Sequence, residues 1–246
     1  MDSSTIVWIA LLMALAAALY STVGHGGASA YLAIMALFAV APETMRPTAL
    51  ALNLVVAGFG SVRYWQAGQT NFRLLAAFVV TAAPAAFLGG SISIAPEYYR
   101  PLVGLLLWAS ALRMFWHPSR LAQREPHPPP LTVTLPAGAG LGLLAGLTGT
   151  GGGIFLSPLV ILFGWEDARR TSGVAAGFIF INSLAGLAGN FASARSLPGE
   201  LPILTAAVVA GALVGTWLGA GRLPKPRLLQ GLGLVLLIGG AKLIFA

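Results

Sequence analysis

The 246-residue chain is 57% hydrophobic and only 9% charged; soluble domains carry about 25% charged residues, so soluble and disordered proteins are both excluded. It has no cysteine, which removes disulfide scaffolds, thiol enzymes and cysteine-ligated metal or iron–sulfur sites. The net charge of +7 rests on 14 Lys and Arg scattered along the chain rather than gathered on one face; that pattern orients a membrane protein rather than binding nucleic acid.

Cutting the chain at charges, prolines and glycines predicts ten helical segments. The first spans 5–23; its only early charge is Asp2, so it lacks the basic start of a cleaved signal peptide and is retained in the membrane. It ends in Gly24-His25-Gly26-Gly27. The second segment, 28–41, is short for a full span, since about 20 residues are needed to cross about 30 Å of hydrocarbon. The third, fourth and fifth cover 47–65, 72–94 and 99–116. A proline-rich polar stretch, 117–130, reads as a solvated linker. The sixth segment, 131–148, runs into Gly149-Thr150-Gly151-Gly152-Gly153, and the seventh, 154–164, is again short. The eighth, ninth and tenth cover 171–190, 201–220 and 228–245.

The order long helix, glycine cluster, short helix, three further helices occurs twice. Gly24-His25-Gly26-Gly27 lies over Gly149-Thr150-Gly151-Gly152, and Leu37-Phe38 over Leu162-Phe163, both at an offset of 125. Asn53-Leu54 can be laid over Asn182-Ser183, and Arg100 with Gly104 over Arg227 with Gly231. The expectation is an all-α polytopic membrane protein: a first repeat at 1–117, a cytoplasmic linker at 118–130 and a second repeat at 131–246.

Charge decides the orientation of the repeats. If the first two segments of each repeat form a hairpin broken at the glycines, each half makes an odd number of crossings and the second half is inverted. Arg46, Arg100, Arg195 and Lys242 then lie on one side. Arg63, Arg73, Arg113, Arg120, Arg124, Arg169, Arg170, Arg222, Lys225 and Arg227 lie on the other, four against ten. Parallel halves would split the same residues evenly. The biased division puts both termini outside the cytoplasm. Inverted repeats with broken helices place a transporter site near the midplane.

Each glycine cluster offers backbone N–H groups with no side chain in the way, followed by a helix N-terminus carrying about half a positive charge. Two of them meeting would hold a small anion without Lys or Arg, since no charged residue falls in the middle of a segment. The substrate-contacting candidates are Gly24, His25, Gly26, Gly27, Ser29, Asn53, Thr148, Gly149, Thr150, Gly151, Gly152, Gly153 and Asn182. Glycine clusters also serve helix packing, a membrane His or Asn also serves interhelical hydrogen bonding, and Ser29, Thr148 and Ser157 can bond their own helix. Glu166-Asp167 beside Arg169-Arg170 reads as a solvated loop cluster. No catalytic or metal-ligand arrangement is present, so neither an enzyme nor a cofactor is expected.

The motifs VGHGGAS, LTGTGGGIFLSP and RRTSGVAAGFIFINSLAGLAGN resemble the TauE/SafE family of membrane permeases, over nearly the whole chain. The resemblance implies export of sulfite or an organosulfonate such as sulfoacetate across a bacterial inner membrane. The family's glycine motifs would map to Gly24, Gly26, Gly27 and to Gly149, Gly151, Gly152, Gly153, and its Asn positions to Asn53 and Asn182. The expected function is secondary transport of a small anion by alternating access, with a passive anion channel as the alternative. The partners are the substrate and the bilayer, and a homodimer is compatible with the sequence.

Overall fold

The computed structural model describes residues 3–22, 24–115, 126–192, 197–219 and 226–245. Among them the secondary structure is ten helices: α1 (Ser3–Ser21), α2 (Ala28–Leu37), α3 (Pro42–Gln66), α4 (Phe72–Ser91), α5 (Pro96–Phe115), α6 (Leu131–Thr148), α7 (Gly153–Leu162), α8 (Ala168–Ala192), α9 (Leu201–Gly219) and α10 (Pro226–Phe245). His117, Arg120 and Arg124 of the linker stretch, and Arg195, Arg222 and Lys225 of the charge division, lie outside the described residues, as do the side chains of Arg113 and Arg227.

The burial pattern is that of a chain solvated by lipid. Trp8, Leu15, Val80, Leu112 and Trp217 face outward, while Arg46, Asn53, Asn182, Ser183 and Asn190 are buried. Soluble proteins show the reverse. α1, α3, α4, α6 and α8 are each long and apolar enough to cross a membrane. α3 begins at Pro42 rather than near Pro47, because Pro42 sits in its first turn, where a missing N–H costs nothing. Asn71 caps α4 by accepting from Leu74 N at 3.1 Å. Asp167 Oδ1 does the same for α8, accepting from Arg169 N and Arg170 N at 2.8 and 3.0 Å.

Each half leans on the other: α1 packs on α9, α4 on α6 and α8, α5 on α10 and α3 on α8. Small residues make these contacts close. A Cβ on Gly138, Gly142 or Gly146 of α6 would strike the carbonyls of Phe78, Ala82 and Ala86 on α4; Gly211 and Gly215 of α9 meet Ala14 and Ala18 of α1 in the same way.

Backbone details recur at the offset of 125. Ala39 (φ 55) and Gly164 (φ 67) close α2 and α7. Val40 N donates to Met35 O at 2.9 Å and Trp165 N to Val160 O at 3.0 Å. α2 and α7 are 10 residues each, and α3 and α8 are 25 each.

Contacts gather the helix ends into two groups. In one, Lys242 Nζ near the end of α10 donates to Leu37 O at the end of α2 (2.8 Å), and Arg46 at the start of α3 donates to Ile92 O just after α4 (2.9 Å). A cavity of about 300 Å³ lies in this group, between Ile6 and Ile9 of α1, Met35 to Ala41, Thr44 and Thr48 of α3, and Glu200 and Leu204 at the start of α9. In the other, Asn71 Nδ2 before α4 donates to Glu166 Oε2 (2.6 Å), and His127 N donates to Gly164 O after α7 (3.1 Å). Glu166 is therefore not part of a solvated cluster. The α7–α8 turn folds under the start of α4 and buries its carboxylate on Asn71 and the Asp167 amide (3.2 Å).

Candidate functional site

The two breaks have matching backbones. Gly24 and Gly149 (φ 74 and 85) leave α1 and α6; Gly27 and Gly152 (φ 96 and 76) are the N-caps of α2 and α7. Such left-handed caps suit glycine, because a side chain there strains the backbone. These glycines do not line the α4–α6 or α1–α9 packing contacts.

The breaks meet. A Cβ on Gly26 would collide with Asn53 Oδ1, and one on Gly151 with Asn53 Nδ2; both would also press on Ile179 Cγ2, at 3.2 and 3.0 Å. Asn53, buried in α3, ties the two together: its Oδ1 accepts from Ala28 N at 3.1 Å and its Nδ2 donates to Thr150 O at 3.4 Å. His25 is half-buried and crosses in the other direction, with Nε2 at 3.2 Å from Ser157 Oγ on α7.

Several amides at this junction are already used. Gly24 N donates to Ser21 O, His25 N to Tyr20 O and Gly149 N to Ala145 O. Those of Gly26, Gly27, Gly151, Gly152 and Gly153 make no hydrogen bond among the described residues. They sit at the positive ends of α2 and α7, where an anion is favoured.

The C-terminal ends of α1 and α6 at the same junction expose carbonyls that lipid cannot satisfy. Tyr64 Oη donates to Thr22 O at 3.2 Å and Ser21 O at 3.4 Å. At α6 the donor is charged. Arg46, 3% exposed, donates to Leu147 O at 3.3 Å, to Gly90 O in the last turn of α4 and Ile92 O just after it, and to Asn190 Oδ1 at 3.0 Å. Gly149 packs against its backbone and Cγ. This corrects the expectation of a junction free of Lys and Arg: Arg46 lies inside α3, and its role is to hold carbonyl ends. Its carbonyl partners come from distant helices, so no local pattern announces them.

The other candidates divide. Ser29 Oγ bonds Tyr20 Oη at 2.7 Å. Thr148 Oγ1 donates to Leu144 O at 2.6 Å and lies 3.1 Å from Thr150 Oγ1. These hydroxyls are occupied by the fold. Asn182 is fully buried with neither side-chain atom bonded among the described residues. The alignment of Asn53 with Asn182 does not hold in space. α3 and α8 have equal length and start at Pro42 and Ala168, so Asn53 shares its register with Ile179, the residue that touches both breaks with it. Ile179 and Ser183, whose Oγ faces Gly151, were not anticipated; an isoleucine or a serine inside an apolar helix carries no sequence signal of its own.

The family described as Sulfite exporter TauE/SafE matches residues 9–243. The chain is 38% identical over 229 residues to a probable membrane transporter protein, y4hK, of Sinorhizobium fredii, covering 92% of this chain and 93% of that one. It is 25% identical to the probable membrane transporter protein YjnA of Bacillus subtilis, covering 92% and 95%. No solved structure matches.

Proposed function

The chain belongs to the TauE/SafE family of membrane transporters, and on that premise we propose that it carries a small anion, sulfite or an organosulfonate, held where the two glycine breaks meet. One observation carries this reading: five unbonded amides open two short helices at a junction bridged by Asn53. Uncompensated donors at buried helix ends are uncommon and call for an acceptor.

Alternating access between inverted halves is the proposed mechanism. It is supported by the α1–α2 hairpin opening toward the end that holds Lys242 and Arg46, and the α6–α7 hairpin toward the end that holds Asn71 and Glu166. The two ends are also unequal. The cavity of about 300 Å³ lies beside Val40, whereas the same register in the second half holds Trp165, stacked on Phe163 at 5.1 Å and tilted on Phe78 at 6.0 Å. We read the cavity at one end and the stacked aromatic turn at the other, the plugged end, as one state of a rocking carrier.

Arg63, Arg73, Arg169 and Arg170 lie at the plugged end, while Arg46 and Lys242 at the open end are spent on helix carbonyls. That charge bias supports the plugged end as the cytoplasmic face of a bacterial inner membrane, with both termini outside. An anion leaving the cell runs down an inside-negative potential, so export needs no coupling ion. The test is flux in reconstituted vesicles with sulfite, sulfate, sulfoacetate and acetate. Saturable flux with counterflow of one sulfur oxyanion or sulfonate is expected. Flux without counterflow would make the site a channel, and no anion flux would end the reading.

A further inference from the structure

Next to the second break, three side-chain atoms have no partner. Ser183 Oγ and both amide atoms of Asn182 are buried, on fully buried residues, and make no hydrogen bond among the described residues. A Cβ on Gly151 would stand 3.3 Å from Ser183 Oγ. One turn earlier on α8, Ile179 meets Gly151 and Gly153; about one turn later, Gly186 meets Gly146 of α6. Asn182 and Ser183 therefore lie along the stretch of α8 that the second break follows. The same register of α3 holds Val56 and Ala57, both buried and apolar. The polar pair belongs to one break only.

Donors alone would suit a bare anion, and Gly151, Gly152 and Gly153 supply them. Asn182 is different. Whichever way its amide is placed, it presents an acceptor as well as a donor, and an anionic oxygen cannot satisfy an acceptor. The Ser183 hydroxyl can turn to give or to accept. Left empty, such atoms destabilise a buried site. We infer that the ligand at the second break carries a hydrogen-bond donor, a hydroxyl or an acid O–H, beside its anionic group, and that Asn182 and Ser183 read this donor while the glycine amides hold the anionic oxygens. The inference rests on the anion-transport reading above.

Vesicle flux of 2-hydroxyethanesulfonate against ethanesulfonate, and of glycolate against acetate, tests it, since each pair differs by one hydroxyl. The native protein should favour the hydroxylated member by about tenfold or more, the effect of one buried hydrogen bond made or missed. Asn182→Leu and Ser183→Ala should bring that ratio near unity, and Ser183→Thr should restore it. Ligand-free Asn182→Leu should melt no lower than the native protein, because it removes two unbonded polar atoms; a structural asparagine would melt lower. Equal flux within each pair, a preference that survives both variants, or a clear loss of melting temperature in Asn182→Leu would overturn the inference and point to water as the occupant. No flux of any of the four while sulfite or sulfoacetate is carried would overturn this inference alone; no flux of sulfite or sulfoacetate either would remove the transport reading as well.

Discussion

Asn53 and Ile179 stand at the same register of α3 and α8, and each touches both glycine breaks, one with an amide and the other with a methyl group. The pair is thus polar on one side only, and of the two it is Asn53 that hydrogen-bonds across the junction, from Ala28 N to Thr150 O. Asn53→Leu strands the Ala28 donor and loses the Thr150 contact, and should cost about 1–3 kcal/mol. A lower melting temperature in detergent, with flux reduced, is expected. Unchanged stability would mean that the bridge does not hold the breaks together.

Gly151 and Gly152 have no room to vary. A Cβ on Gly151 meets the Asn53 amide, and one on Gly152 lies 3.0 Å from Phe178 Cε1. The left-handed backbone adds about 1–2 kcal/mol for any L side chain. Gly151→Val or Gly152→Val should abolish flux while the protein still elutes as a folded species. Normal transport by either variant would take the second cluster out of the binding site.

Arg46 gathers carbonyls from the ends of α4 and α6 together with Asn190. Arg46→Met leaves those acceptors buried and unmet, and a loss of about 3 kcal/mol or more follows from removing a buried, fully engaged charge. Arg46→Lys should recover part of it, since one ammonium cannot span the same fork. Thermal melting in detergent reads both. A methionine variant as stable as the native protein would contradict the structural role.

The absence of native cysteines allows the two ends to be compared directly. Val40→Cys lines the open cavity and should react with a membrane-impermeant thiol reagent added outside. Trp165→Cys, at the matching register and buried at the other end, should react more slowly with the reagent from either side. Equal labelling of both would remove the distinction between an open and a plugged end.

Much of this arrangement was legible in the residues. The glycine clusters, the short helices behind them and the Leu-Phe pairs that close those helices needed only spacing and hydropathy. Arg46 and Glu166 were misjudged for a common reason. A charge beside a helix start looks solvated until other helices supply its partners, and those lie up to 144 residues away in the case of Arg46 and Asn190. Asn182 was matched to Asn53 by residue type, whereas the spatial match follows the helix starts and selects Ile179. Side-chain identity misled there because matching registers of α3 and α8 carry different side chains on helices of equal length.

The carbonyl ends of α1 and α6 are secured by unlike means, a neutral phenol from Tyr64 at one and the guanidinium of Arg46 at the other. Charged donors bind carbonyls more tightly than neutral ones. On that ground the tether that ends α1 should yield before the one that ends α6.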